Sequence, residues 1–236
     1  MDLGTGNGHL LFLLRDGDED GSNDEGEDVG LNGDAGSDDR WAGEMVGVDY
    51  SAASIELVLQ IARQRERSHQ QDPNAISNGH HAGDDAQDNR RRDIRFELYD
   101  ILDPSTTSDA VSAPDWLKEP FDIVLDKGTF DAISLTPTQT SATESSEHPC
   151  ETYRVNVTRL VRPGGFLVIT SCNWTREELV QWLTSGTDAA KAQVEGGGGE
   201  VGNGKGTLRF YDEAKYPTFT FGGKKGQSVV TVVFRR

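Results

Sequence analysis

Met1-Asp2-Leu3-Gly4-Thr5-Gly6-Asn7-Gly8-His9-Leu10-Leu11-Phe12 opens the chain and decides its reading. An acid precedes glycines at every second position, and an apolar run follows. The pattern predicts the end of a β-strand, a tight turn and the first turn of a helix. Glycine suits a backbone that takes positive φ, or one that a ligand must approach without meeting a Cβ. A helix start presents free N–H groups and the positive end of its dipole, so a nucleotide-like ligand is the first expectation.

Outward from this turn, strands and helices alternate. Met45-Val46-Gly47-Val48-Asp49 reads as a strand ending in an acid. Ser51 then caps a helix over 52–66, whose Ile55, Val58, Leu59 and Ala62 share one face. Ile94 to Asp100 alternates as a strand and again ends in an acid, and Phe121 to Asp126 does the same. Tyr153, Val157, Leu160 and Val161 predict a helix, Arg162-Pro163-Gly164-Gly165 a turn, and Phe166 to Thr170 an apolar strand. Thr175-Arg176-Glu177-Glu178 is a capping box that opens a helix through Leu179, Val180, Trp182 and Leu183. Strands at 216–221 and 229–234, joined by 222–226, read as a terminal hairpin. The order predicts an α/β fold: one domain over 1–236 with a Rossmann-like, mostly parallel sheet and an antiparallel terminal hairpin.

Four polar stretches, 16–44, 68–93, 136–149 and 184–206, read as disordered insertions, because such composition cannot bury enough surface to offset its ordering entropy. The first holds twelve acids against one base, Arg40. Asp16, Asp18, Asp20, Gly21 and Glu27 match a calcium-loop pattern, but Asn23 stands where an apolar residue packs and no exiting helix follows. His80-His81 lacks partners at ligand spacing. Neither is read as a metal site.

The formal net charge of −17 argues against nucleic acid as a partner, since phosphate contacts need clustered Lys and Arg. No apolar run reaches membrane-spanning length and no signal-peptide pattern opens the chain. The two cysteines, Cys150 and Cys172, lie far apart in unlike contexts, as in a reduced cytosolic or nuclear protein, and a cytoplasmic location is expected. The sequons at Asn156 and Asn173 read as chance matches. A monomer without a membrane partner is expected.

Three strands end in acids, Asp49, Asp100 and Asp126, at the edge where open α/β sheets bind ligands. An acid after the second strand suits the two hydroxyls of a ribose, and one after the third an adenine amine. The alternative is that these acids only cap turns. A dinucleotide fingerprint would place no acid ahead of the glycines. Asp2 would repel a pyrophosphate but attract the α-ammonium of a methionine moiety, which favours S-adenosylmethionine.

These residues, with Gly47-Val48-Asp49-Tyr50-Ser51 and Asp126-Lys127-Gly128-Thr129-Phe130-Asp131, resemble the seven-β-strand methyltransferases. Thr170-Ser171-Cys172-Asn173-Trp174-Thr175 and Phe219-Thr220-Phe221-Gly222-Gly223-Lys224 narrow the resemblance to the lysine methyltransferases of translation elongation factor 1-alpha. The resemblance implies a seven-stranded methyltransferase sheet and S-adenosylmethionine as cofactor. It implies that Asp2, Gly4 and Gly6 line the methionine end, that Asp49 holds the ribose, and that Asp100 with Ile101 holds the adenine. Gly8 and Tyr50 also count among the cofactor-binding residues. Asp126, Lys127 and Phe130 would border the methyl group and the incoming lysine as the catalytic set, and Trp174 would wall the substrate channel. Asp126 could orient the amine or take its proton, or only fix the strand end. Family members carry residues ahead of the glycine motif that complete the first strand and cover the cofactor. Here the first strand is cut to Met1–Leu3, which predicts a truncated gene model or an alternative start. A small-molecule methyltransferase on the same fold, or a catalytically impaired member acting as a binding protein, stands as the alternative.

Overall fold

Valine, isoleucine and phenylalanine at alternate positions suit a pleated, half-buried surface, and in this chain they build the centre of the sheet. The computed structural model describes residues 1–16, 41, 43–70, 94–103, 113–136, 148–184, 207–217, 219–221, 224–226 and 228–236. The chain divides into two compact units, Met1–Gly4 with Leu98–Arg236, and Thr5–Glu97. Among the described residues the main sheet has seven strands.

In the first unit β1 (Asp2–Leu3) lies parallel to β4 (Phe121–Lys127), with Leu3 opposite Asp126. β4 lies parallel to β5 (Val161–Ser171). Between the pairs Phe121–Val161 and Ile123–Phe166 the register jumps, so the segment holding Arg162–Gly165 bulges out. Gly164 takes φ +84 there, and a Cβ on Gly165 would sit 2.7 Å from the Asp122 carbonyl oxygen. Beyond the bulge Leu167, Ile169 and Ser171 are buried while the alternate residues are half-buried. β9 (Val230–Arg235) then runs antiparallel between β5 and β6 (Arg209–Glu213). Among the described residues this unit has three α-helices, α3 (Thr129–Ser134), α4 (Pro149–Leu160) and α5 (Arg176–Thr184). The capping box at the start of α5 forms as expected, with the Thr175 N–H donating to Glu178 Oε2 at 2.9 Å and the Glu178 N–H to Thr175 Oγ1 at 3.3 Å.

The second unit contains α1 (His9–Asp16), β2 (Met45–Asp49), α2 (Ala52–Gln70) and most of β3 (Ile94–Leu98). Its core gathers Leu11, Phe12, Met45, Val58 and Phe96, with Leu59, Ala62 and Ile94 packed around them. The Phe12 and Phe96 rings lie 5.7 Å apart. Ser51 caps α2 as expected, its Oγ accepting the Ser54 N–H at 3.3 Å. Among the described residues no helix is long and apolar enough to cross a membrane.

The fold class is the expected one, an α/β sheet with parallel strands and an antiparallel end. Three expectations need correction. The strand at 229–234 does not pair with 216–221; its partner is β6, whose polar Arg209-Phe210-Tyr211-Asp212-Glu213 forms the sheet's edge. A bulge between Phe210 and Asp212 breaks the alternation by which that strand would be recognised. Phe219–Phe221 instead pairs with Lys224–Gly226 as a separate two-stranded sheet, β7 and β8. Val161 belongs to β5 rather than to the helix before it, and α2 runs four residues beyond Glu66 into the expected insertion. The rest of that insertion, most of the other three, the candidate calcium loop after Asp16, and His80-His81 lie outside the described residues.

Gly8 shows why the opening glycines differ in purpose. It takes φ +76, and a Cβ there would lie 2.5 Å from Val58 Cγ2 and 2.8 Å from Phe12 Cε2. Gly8→Ala combines left-handed strain with overpacking and is expected to lower stability by about 2–4 kcal/mol. Urea unfolding of the variant against the wild type measures it through the drop in transition midpoint at unchanged slope.

Candidate active site

The glycine turn is stitched by its own backbone and by one carboxylate. The Thr5 N–H donates to the Val48 carbonyl at 2.9 Å, and the Gly8 N–H to the Thr5 carbonyl at 2.8 Å. Asp49, buried at the end of β2, accepts the Gly6 N–H on Oδ2 at 3.0 Å and the Ser51 N–H on Oδ1 at 2.9 Å. Each of its oxygens therefore keeps a lone pair for a further donor. Thr5 Oγ1 is buried and has no hydrogen-bond partner among the described residues. Tyr50, next along the chain, is 76% exposed.

In the first unit Gly4 takes φ +68 and packs against the start of α3. A Cβ on Gly4 would fall 2.1 Å from Thr129 Oγ1, which donates to the Leu3 carbonyl at 2.8 Å. Asp2, one residue ahead of Leu3, is buried within β1.

At the end of β4, Asp126 is 1% exposed and fully engaged. Its Oδ1 accepts the Thr129 N–H at 2.9 Å, and its Oδ2 accepts the Phe130 N–H at 3.1 Å and the Tyr153 hydroxyl at 2.5 Å. The carboxylate thus caps the start of α3, where Gly128 supplies φ +88. Burial pushes the Asp126 carboxyl up to about 7, against the lowering effect of the Tyr153 hydroxyl and the two N–H donors. Burial likewise pushes the Tyr153 phenol well above its ordinary range, with the Asp126 charge adding to it. Lys127, next in sequence, is exposed.

A second acid organises the end of β5. Asp131 on α3 accepts the Ser171 hydroxyl on Oδ1 at 2.6 Å, and the Cys172 N–H and Sγ on Oδ2 at 2.9 and 3.4 Å. Ser171 Oγ in turn accepts the N–H groups of Asn173 and Trp174 at 3.1 and 3.0 Å. The Trp174 indole N–H donates to Ser134 Oγ at 3.2 Å. Phe130, 1% exposed, lies at the hub of an aromatic cluster, with ring centroids 5.1 Å from Tyr153, 6.0 Å from Trp174 and 6.4 Å from Trp182. Hydrogen bonding to Asp131 and the Asp131 charge raise the Cys172 thiol pKa.

After β3, Asp100 is exposed and its Oδ1 accepts the Leu102 N–H at 2.8 Å. Ile101 is buried, and its carbonyl accepts the Asn156 amide at 2.7 Å. Asn156 is thus a buried, hydrogen-bonded residue of α4 rather than a glycosylation acceptor.

Of the residues singled out from sequence, the first unit brings together Asp126, Phe130 and Trp174, and sets Gly4 against Thr129. The second unit joins Gly6 to Asp49, while Gly8 serves the apolar core. Sequence reasoning did not connect Tyr153, Asp131, Ser171 and Asn156 with these segments. Tyr153 was readable only as a core position beside Val157 and Leu160. Asp131 could have been found as the second acid of the Asp126–Asp131 stretch, one helical turn into α3.

No protein-family model matches the chain. It is 30% identical over 236 residues to the protein-lysine N-methyltransferase efm4 of Schizosaccharomyces pombe, covering 100% of this chain and 68% of that protein. It is 29% identical over 234 residues to the protein-lysine N-methyltransferase EFM4 of Saccharomyces cerevisiae, covering 99% and 68%. It is 29% identical over 237 residues to EEF1A lysine methyltransferase 2 of Danio rerio, covering 100% and 65%. The chain therefore spans about two thirds of the length of these curated relatives.

The elevated Asp126 pKa has a signed consequence. Between the ordinary carboxylate pKa, near 4, and about 7 the folded chain holds a proton that the unfolded chain has released, so this acid makes stability fall as pH rises through that window. Asp126→Asn keeps the shape and removes the titration. Relative to this variant, the wild type is expected to lose up to about 4 kcal/mol from about pH 4 to about pH 7. Paired urea unfolding curves across that range check the slope of the difference.

Proposed function

The chain belongs to the protein-lysine N-methyltransferase family of efm4, and we propose that it transfers a methyl group from S-adenosylmethionine to a lysine of translation elongation factor 1-alpha. The observation that carries this reading is the likeness over the whole chain to efm4 and to EEF1A lysine methyltransferase 2, proteins whose names state lysine methylation and, for the latter, its target.

The residues present fit S-adenosylmethionine. The orphaned Thr5 hydroxyl offers a buried polar atom without a partner among the described residues. Asp49 keeps two lone pairs, the acceptor set that a vicinal diol requires. In this reading Asp49 and neighbouring Tyr50 take the ribose, Asp100 the adenine amine with Ile101 behind it, and Asp2, Gly4 and Gly6 the methionine end. When bound, the cofactor supplies a methyl group activated by the sulfonium charge.

The chain's own residues then align and shield. Phe130 and Trp174 form an aromatic wall that favours a cation, with Trp174 nearer to solvent. Asp126 lies too deep to meet an arriving amine. Its part is to hold the junction from Lys127 to Phe130 in place. The lysine arrives neutral and its surplus proton leaves through water, so alignment carries the rate. This reading assigns the chain to the cytoplasm, in keeping with its two free thiols.

Methyl-labelled S-adenosylmethionine, the purified chain and elongation factor 1-alpha make the test. Label is expected in a lysine of the factor, at least tenfold above a Trp174→Ala variant, for the loss of one wall of the site. Label that enters small molecules but never protein would replace this reading with a small-molecule methyltransferase. Binding of the cofactor without any transfer would leave a binding protein.

A further inference from the structure

One face of α4 buries two polar side chains a single helical turn apart, Tyr153 and Asn156, 0% and 4% exposed. An amide or hydroxyl is costly to bury unless it is hydrogen-bonded, and a helix that needed only packing could use apolar residues there, as it does at Val157 and Leu160. Each of the two donates to a different segment. The Tyr153 hydroxyl reaches Asp126 at the junction of β4 and α3, at 2.5 Å. The Asn156 amide reaches the Ile101 carbonyl after β3, at 2.7 Å. The helix is itself fixed at its start, where Pro149 occupies the first turn and His148 Nδ1 accepts the Cys150 N–H at 3.2 Å. The Asp100–Leu102 turn is closed locally by Asp100, whose Oδ1 accepts the Leu102 N–H, and Asn156 sets the depth at which it lies.

We infer that Tyr153 and Asn156 are positioning residues: from one rigid helix, Asn156 places the adenine-side segment Asp100–Ile101 and Tyr153 places the transfer-side junction Asp126–Phe130. This rests on the methyltransferase reading above. It predicts a division of labour that a common packing role would not produce. Loss of the Asn156 donor frees a segment that touches only the cofactor, so it weakens binding. Loss of the Tyr153 hydroxyl shifts the junction beside the reacting groups, so it slows transfer.

The test is steady-state methylation by the full chain, with cofactor binding measured by calorimetry and folding by urea midpoints. Asn156→Leu is expected to raise the KM and the Kd for S-adenosylmethionine about tenfold with kcat within twofold. Tyr153→Phe is expected to lower kcat about tenfold with the cofactor KM within twofold. If Asn156→Leu does not fold, Asn156→Asp, which keeps the shape and loses the donor, takes its place. Folded variants that change both parameters alike, or neither, overturn the inference while the methyltransferase reading stands. A wild-type chain that binds no S-adenosylmethionine overturns both.

Discussion

A carboxylate removed from water must find hydrogen bonds inside the protein, and the first unit is arranged around the one that does so at Asp126. It collects the first N–H groups of α3, so that helix can start only where the end of β4 puts it. It also takes the Tyr153 hydroxyl, which ties α4 to the same point. With the start of α3 fixed, Thr129 is placed to bond the Leu3 carbonyl, and the backbone of β1 is drawn so close that only glycine fits next. One buried acid thus sets the mutual position of two helices and two strands.

The same device recurs at other strand ends. Asp49 holds Gly6 and Ser51, Asp100 holds Leu102, and Asp131 gathers Ser171 and Cys172 at the end of β5. In each case a carboxylate binds backbone N–H groups that no strand or helix can satisfy, which removes the freedom a loop would otherwise keep. The two readings of a strand-end acid, a cap for the turn and a ligand for a cofactor, are therefore compatible at Asp49. There the bonds to the backbone aim the remaining lone pairs. At Asp126 the carboxylate oxygens accept from the start of α3 and from the Tyr153 hydroxyl.

Much of this was legible in the sequence because it rests on local rules. The glycine turn follows from spacing, the capping box at Thr175 from residue types three apart, and the apolar strands from alternation. What escaped depends on contacts distant in sequence. Tyr153 and Asp126 are separated by 27 positions and Ser171 and Asp131 by 40, and nothing in either segment names the other. β6 escaped for a different reason. It is a polar edge strand with a bulge, so neither its composition nor its period announces it, and its partner was assigned to a nearer segment of stronger strand character. The Arg162–Gly165 segment was read as a turn because proline and glycine usually end strands, whereas here they form a bulge within one.

Cys172 stands at the surface beside Trp174, where an exposed thiol would ordinarily be open to oxidants and electrophiles. Its Sγ, however, donates to Asp131, and that acid disfavours the thiolate, which is the reactive form. The bond that shapes the loop thereby also quiets the thiol's chemistry. The end of β5 thus carries a sulfur that solvent can reach, held by its neighbour as the thiol.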